Sequence, residues 1–169
     1  PGQRYMLYMH VPFCERLCPY CSFNRFPYAE DRARPYFANM RKEMLMLKDL
    51  GYDFDSVYIG GGTPTTLSAQ DLGRIFSTIE QNFDLSHLME YTVEAGRPDT
   101  VTQERLEGIH AAGVQRISIN PQSFNDKVLE AIGRRHTAQQ TLDAFALARD
   151  CGFDHINICL LYTSDAADE

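Results

Sequence analysis

The segment Thr137–Ile158, TAQQTLDAFALARDCGFDHINI, determines which fold class the sequence predicts. Thr137 and Gln140 have the spacing of a capping box, in which a side chain and a backbone amide bond each other reciprocally at a helix start. The helix is expected to end at Gly152, and the apolar strand Phe153–Ile158 follows at once. The buried face of this helix is expected to carry Leu142, Phe145 and Ala146.

The same order of helix, glycine and strand recurs upstream. Further helices are predicted over residues 35–50 and after the capping residues Ser68, Thr102 and Asn125. The other predicted strands are Tyr5–Val11, Ser56–Ile59, Tyr91–Glu94 and Val114–Ile119. Strands that alternate with helices form βαβ units and a parallel sheet. The sequence therefore predicts one α/β domain of about four and a half βα units that stops at its fifth strand, and periodicity leaves open whether the sheet closes as a barrel.

Composition excludes several classes of protein. The chain has 169 residues, of which 44% are hydrophobic, which is enough for one domain with a core. No run reaches the ~20 apolar residues of a membrane span. A net charge of −7 argues against nucleic acid as the main partner. Three of the five cysteines crowd into residues 14–21, which favours metal chemistry in a reducing compartment, the cytoplasm, over disulfides.

Both ends of the sequence depart from what a complete native domain would show. The chain starts at Pro1 and has no signal peptide, so an upstream part of a longer protein is expected to be missing. Residues 159–169 resemble the in-frame translation of a transposase adapter used in sequencing libraries. We therefore expect a domain over residues 1–158 and a non-native tail over 159–169, in which Leu161 and Tyr162 pack poorly.

Cys14, Cys18 and Cys21 have the spacing C-x₃-C-x₂-C directly after the first strand. A loop can wrap three such thiolates around one centre, which suits an iron–sulfur cluster or zinc. Structural zinc takes four ligands and no second cysteine pair follows, whereas three cysteines on a four-iron cluster leave one iron open for a small molecule. The alternatives are zinc completed by His10, or three free thiols. Cys151 is expected to be a small buried apolar side chain.

The segment Tyr8–Cys21, YMHVPFCERLCPYC, resembles the signature of radical S-adenosylmethionine (SAM) enzymes. More narrowly, it is similar to the branch of oxygen-independent coproporphyrinogen III oxidases and their heme-handling relatives. The resemblance implies a [4Fe–4S] cluster on the three cysteines, whose open iron chelates SAM and whose electron cleaves SAM to a 5′-deoxyadenosyl radical. It also implies a partial (β/α)₆ barrel that runs from Tyr5 to Ile158.

The resemblance assigns cofactor contacts to Tyr8, Tyr20, Gly61, Gly62, Thr63, Glu94, Gln122 and Arg134. Simpler interpretations exist: the glycines form a tight turn, Glu94 pairs with Arg97, and Arg134 is a cation at a helix C-terminus. However, the cysteines, the glycines, Glu94 and Gln122 each follow a successive predicted strand. Because parallel sheets and barrels place their active sites at the carboxyl ends of the strands, we expect these groups to share one edge.

One position departs from the family pattern. After the fifth strand the family carries an Asp that binds the cofactor ribose, whereas this sequence has Cys159, the first residue of the suspected tail. We interpret this difference as truncation, so the carboxylate that binds the ribose is expected to be missing from this sequence.

Residues 94–99, EAGRPD, look most like the coproporphyrinogen dehydrogenase subgroup. The implied reaction is hydrogen abstraction from the propionates of coproporphyrinogen III, with loss of carbon dioxide and an electron, and it requires an electron donor that the sequence does not identify. Local cations that could meet the four carboxylates of this substrate are Arg25, Arg97 and Arg135. Ser22-Phe23 stands where the best-characterised oxidases carry a further cysteine, which keeps a heme-trafficking protein as an alternative. A non-enzymatic zinc module is the other.

Overall fold

A parallel five-stranded sheet runs through the computed structural model, which describes residues 5–161. The strands in chain order are β1 (Tyr5–Val11), β2 (Phe13–Cys14), β3 (Phe26–Pro27), β4 (Phe54–Gly61), β5 (Glu90–Ala95), β6 (Arg116–Gln122) and β7 (His155–Leu160). The main sheet has the order β1-β4-β5-β6-β7, and all four pairings are parallel. The predicted parallel α/β fold class is thereby confirmed. Its strands follow one another in chain order, as in a barrel, and not in a doubly wound order.

Helices connect successive strands of the sheet. They are α1 (Glu30–Asp49), α2 (Ala69–Asn82), α3 (Gln103–Ala111), α4 (Asp126–Ala131) and α5 (Ala138–Asp150), with 3₁₀ turns at Pro64–Thr66 and Pro98–Thr100. The predicted caps are confirmed: the side chains of Ser68, Thr102, Asn125 and Thr137 each accept a backbone N–H of the following turn. Gln140 completes the predicted capping box.

Two helix predictions were wrong in part. Helix α1 begins at Glu30, five residues before the predicted start, and contains Pro35. Proline has no N–H to donate and is favoured in the first turn of a helix, whereas here Pro35 is the sixth residue of α1. Helix α5 buries the small side chains of Thr141, Ala144 and Ala148, whereas Leu142 is 52% exposed. The buried face of α5 is thus formed by small side chains and not by the larger apolar ones.

Alternate residues of the strands face opposite environments. Val11, Ile59, Val93 and Ile117 are fully buried under the helices, each contributing roughly 1.5–3 kcal/mol of hydrophobic stabilisation. The other face of the same strands carries polar side chains, described below. The sheet therefore has one apolar face for the core and one polar face for a site.

The last described strand passes the predicted native end. Strand β7 includes Cys159 and Leu160, and the N–H of Leu161, a half-buried residue, donates to the Gln122 carbonyl oxygen at 2.9 Å. Tyr162 and the rest of the predicted tail lie outside the described residues, so its origin stays a prediction. Between residues 5 and 161 no helix combines the length and the hydropathy that crossing a membrane requires.

Candidate active site

A cavity of about 530 Å³ opens at the carboxyl ends of the main strands. All eleven residues predicted to bind metal or cofactor line it: Tyr8, Cys14, Cys18, Tyr20, Cys21, Gly61, Gly62, Thr63, Glu94, Gln122 and Arg134. They come from segments as far apart as the first strand and the turn after α4. The parallel sheet brings most of them together because they end or follow strands at the same edge, whereas Tyr8 lies within β1 and Arg134 follows α4.

The three cysteines of residues 14–21 are free thiols in the wall of the cavity. Cys14 and Cys18 are buried and Cys21 is half-buried. The Cys14 sulfur lies 3.4 Å from the Thr63 hydroxyl. Across residues 5–161, no three His, Cys, Asp or Glu side chains converge closely enough to hold a single metal ion. In a cubane each cysteine would bind a different iron, and three cysteine sulfurs are the donors that such a cluster takes.

His10 is already engaged at both ring nitrogens. Its Nε2 donates to the Asn24 carbonyl oxygen at 2.8 Å, and the Tyr8 hydroxyl lies 3.0 Å from Nδ1. Because a carbonyl oxygen only accepts, this arrangement puts the proton on Nε2 and leaves Nδ1 to accept from Tyr8. A zinc site completed by His10 would have to break one of these bonds.

The glycine segment after β4 packs tightly against the cysteine loop. A Cβ atom on Gly61, whose φ is +121°, would lie 2.8 Å from both His10 Nδ1 and the Val11 carbonyl oxygen. A Cβ on Gly62 would lie 2.8 Å from the Phe13 carbonyl oxygen and 2.9 Å from the Cys14 sulfur. The glycines thus let two backbone segments pack against each other at the cavity wall. This packing is a second reason for glycine here, besides the predicted close approach of a ligand.

Glu94 does not pair with Arg97, so that alternative is wrong. Its Oε1 accepts from the Tyr58 hydroxyl at 2.7 Å and its Oε2 accepts from the Gly61 N–H at 3.2 Å. Burial, followed by this hydrogen bond to Glu94, raises the pKa of Tyr58 well above its usual value. Burial and the Glu94 charge also raise the pKa of Tyr8.

Arg97 instead reaches the cysteine loop. Its Nη2 donates to the Cys18 sulfur at 3.0 Å and to the Arg16 carbonyl oxygen at 2.6 Å. Arg25 donates to the carbonyl oxygen of the same cysteine at 2.7 Å. Both arginines line the cavity, whereas Arg135, the third predicted substrate cation, is exposed and lies outside the lining.

Arg134 turns into the cavity and away from the end of α4. Its guanidinium donates to the Tyr20 hydroxyl at 3.0 Å, the Gly96 carbonyl oxygen at 3.3 Å and the Asn120 carbonyl oxygen at 3.2 Å. The interpretation of Arg134 as a helix-end cation is therefore wrong. Burial raises the pKa of Tyr20 to about 12, against the opposing effect of the Arg134 charge.

Gln122 has a positive φ of 77°, which the sequence did not predict. Such a backbone is uncommon for residues other than glycine and often accompanies functional sites. The carbonyl oxygen of the preceding Pro121 lies 3.1 Å from Nε2 of the buried His136. Burial, with the Arg134 charge, lowers the pKa of His136, which keeps the ring neutral.

Three polar side chains of the cavity wall were missed. The Asn157 amide donates to the Ser118 hydroxyl at 3.1 Å, and that hydroxyl donates to Asn120 Oδ1 at 2.9 Å. The available signal was the two-residue period of polar side chains along β6. Cys159, where the family pattern has Asp, also lines this wall.

The sequence matches the family model of the radical SAM superfamily over residues 8–168. The chain is 36% identical over 162 residues to the oxygen-independent coproporphyrinogen-III oxidase-like protein HemZ of Bacillus subtilis, covering 92% of this chain and 32% of HemZ. It is 37% identical over 158 residues to the heme chaperone HemW of the same organism, covering 92% of this chain and 41% of HemW.

A solved structure gives the same result. Coproporphyrinogen III oxidase (HemN) of Escherichia coli, a radical SAM enzyme, superposes with a TM-score of 0.86 at 29% identity, covering 95% of this chain and 38% of that one. This match confirms that the parallel sheet corresponds to part of a radical SAM barrel. The chain spans about a third to two fifths of the length of these relatives.

Proposed function

Because the chain belongs to the radical SAM superfamily, we propose that its cavity holds a [4Fe–4S] cluster on Cys14, Cys18 and Cys21, with SAM beside it. The observation that carries this proposal is the convergence of the three cysteines and the eight predicted cofactor residues on one cavity. When bound, the cluster and SAM supply a one-electron cleavage that yields a hydrogen-abstracting radical. The protein supplies binding, orientation and exclusion of water.

The charges around the cavity suit such a pair of ligands. Arg97 and Arg134 are buried, and neither forms an ion pair with a carboxylate of residues 5–161. A buried guanidinium without a carboxylate is costly unless another anionic group compensates it. Three thiolates and the methionine carboxylate of SAM are anionic groups of this kind. Glu94 is the acidic counterpart in the cavity, suited to an ammonium or a ribose hydroxyl.

For the reaction, we propose an oxygen-independent oxidative decarboxylation of coproporphyrinogen III propionates to vinyl groups. Hydrogen abstraction from the propionate β-carbon is followed by loss of carbon dioxide, and one electron leaves to an acceptor. The reductive cleavage of SAM also needs an electron donor, a partner of the reaction. The match to HemN and to the oxidase-like HemZ supports this proposal.

A heme chaperone is the second candidate function. The identity to HemW, 37%, differs from the 36% identity to HemZ by one percentage point, so sequence similarity does not separate the two. Such a protein would keep the cluster and the cavity but bind heme without decarboxylating a porphyrinogen.

Cluster binding is tested by anaerobic reconstitution with iron and sulfide. We expect about four iron ions per chain, brown absorbance that bleaches on reduction, and reductive formation of 5′-deoxyadenosine from SAM. Cys18→Ala should lose these properties. Cys151→Ala is the matched control, because Cys151 is a half-buried thiol at the end of α5 that does not line the cavity. A colourless wild-type protein, or a Cys18→Ala variant that keeps the cluster, would contradict the proposal.

The two candidate functions are separated with the protein expressed from its complete reading frame. It is incubated anaerobically with coproporphyrinogen III, SAM and a reductant, and the tetrapyrroles are resolved by mass. Vinyl products with carbon dioxide support the decarboxylase. Unchanged coproporphyrinogen together with stable heme binding supports the chaperone.

A further inference from the structure

The side chain of Arg97 is directed at the sulfur of a predicted cluster ligand. Arg97 is 4% exposed, and its Nη2 donates to the Cys18 sulfur at 3.0 Å, across 79 positions of sequence. The same nitrogen donates to the Arg16 carbonyl oxygen at 2.6 Å. The two partners use both hydrogens of Nη2, so the guanidinium is fixed against the cysteine loop at two points.

The backbone holds Arg97 in this position. Arg97 precedes Pro98, which restricts it to the extended conformation that it adopts, with φ −138° and ψ 125°. Its carbonyl oxygen accepts from both the N–H of Thr100, at 3.0 Å, and the Thr100 hydroxyl, at 2.8 Å. That hydroxyl also lies 2.6 Å from the hydroxyl of Thr65, in the 3₁₀ turn after the glycine segment. The hydrogen bond to sulfur therefore comes from a rigid turn.

We propose that Arg97 is a positioning residue that raises the reduction potential of the cluster through its hydrogen bond to the Cys18 sulfur. This inference rests on the proposed function, since it requires the cluster on Cys14, Cys18 and Cys21. Reduction adds one negative charge to the cluster and its thiolates. A fixed cation that donates a hydrogen bond to one of those sulfurs stabilises the reduced state more than the oxidised state. The low dielectric of a buried site strengthens this effect.

Arg25 provides the matched comparison within the chain. Its Nη2 donates at 2.7 Å to the carbonyl oxygen of the same Cys18, not to the sulfur. Arg97→Gln and Arg25→Gln each remove one positive charge beside one cysteine. Only the Arg97 variant removes a hydrogen bond to sulfur, so the difference between the two variants isolates that bond from the general loss of charge.

The experiment measures the midpoint potential of the reconstituted cluster, without SAM, by electron paramagnetic resonance at defined solution potentials. The protein is expressed from its complete reading frame as wild type, Arg97→Gln, Arg97→Lys and Arg25→Gln. At the wild-type midpoint we expect the ratio of reduced to oxidised cluster to fall about tenfold in Arg97→Gln, which is about 59 mV for one electron. Arg25→Gln should change this ratio by less than about threefold. The ratio for Arg97→Lys should lie between those of Arg97→Gln and Arg25→Gln, because lysine keeps the charge without the planar fork.

The outcomes are distinguishable. A cluster that assembles in Arg97→Gln with the wild-type or Arg25→Gln midpoint overturns the inference and leaves the proposed function standing. A wild-type protein that takes up no iron and sulfide overturns both. If Arg97→Gln assembles no cluster, the midpoint potential of Arg97→Lys is the test. A value below that of Arg25→Gln supports the inference, and a value at or above it overturns the inference.

Discussion

The hydroxyl of Tyr58 donates a 2.7 Å hydrogen bond to Oε1 of Glu94, linking the strands β4 and β5 across the cavity wall. Glu94 Oε2 accepts from the Gly61 N–H, so the carboxylate is held by two donors from the same strand, β4. This arrangement fixes the direction of an acidic group predicted to contact SAM. Sequence alone indicated Glu94 but gave no sign of its partner.

Removing the Tyr58 hydroxyl should loosen Glu94. Hydrogen bonds to charged groups contribute about 1.5–3 kcal/mol, and Tyr58 is only half-buried, so we expect Tyr58→Phe to lower the free energy of unfolding by about 1–2 kcal/mol. SAM affinity should fall as well. Urea unfolding and equilibrium binding measure the two effects. Tyr52→Phe is the control, since within the described residues the Tyr52 side chain makes an edge contact with the Tyr5 ring and no hydrogen bond through its hydroxyl. Equal losses in both variants would contradict the role of the bond.

The positive φ of Gln122 leads to a prediction that separates backbone strain from side-chain function. Glycine adopts this conformation without steric cost, whereas alanine does not. Gln122→Gly should therefore be more stable than Gln122→Ala by about 1 kcal/mol, measured by thermal unfolding. Both variants should bind SAM more weakly, because both lack the amide. A Gln122→Ala protein as stable as Gln122→Gly would show that the strain is absent.

His136 predicts a pH dependence of stability. Burial and the Arg134 charge lower its pKa in the folded state below the usual value of about 6.5, so the unfolded chain binds the proton more readily. The contribution of His136 to folding stability is fully present above pH 6.5, and it is lost as the pH falls from there through the pKa of the folded state. His136→Gln should flatten the decline in urea midpoint between pH 7 and pH 5. The exposed His155 is the control, and His155→Gln should keep the wild-type slope.

The sequence predicted a structural feature well where the residues that determine it are neighbours in the sequence. The helix caps at Ser68 and Thr137 were predicted because the bonding partners lie within three residues. The residues predicted to bind cofactor line one cavity, as expected from the rule that sites lie at the carboxyl ends of parallel strands.

The errors arose where the partner lies far along the chain. Arg97 has Glu94 three residues away as an obvious partner, yet it bonds to Cys18, and no local pattern indicates a contact across that separation. The buried face of α5 was also mistaken, since it carries Ala144 and Ala148 and not the larger Leu142. The start of α1 was also misplaced, because the helix continues upstream of Pro35 to Glu30.

Gly62 gives a prediction with a matched control in the same chain. A Cβ atom there would lie 2.8 Å from the Phe13 carbonyl oxygen and 2.9 Å from the Cys14 sulfur, distances at which the cysteine loop must shift. Gly62→Ala should therefore reduce iron loading at least severalfold. Gly73 lies inside α2, and a Cβ there meets no atom within 4 Å.

Because alanine has a higher helix propensity than glycine, Gly73→Ala should instead stabilise the protein by about 0.5–1 kcal/mol and leave iron loading unchanged. Iron content after anaerobic reconstitution and thermal unfolding test both variants together. Normal loading of Gly62→Ala would show that the loop yields to the added methyl group, so the requirement for glycine would then lie in ligand contact and not in the packing of Gly62 against Cys14.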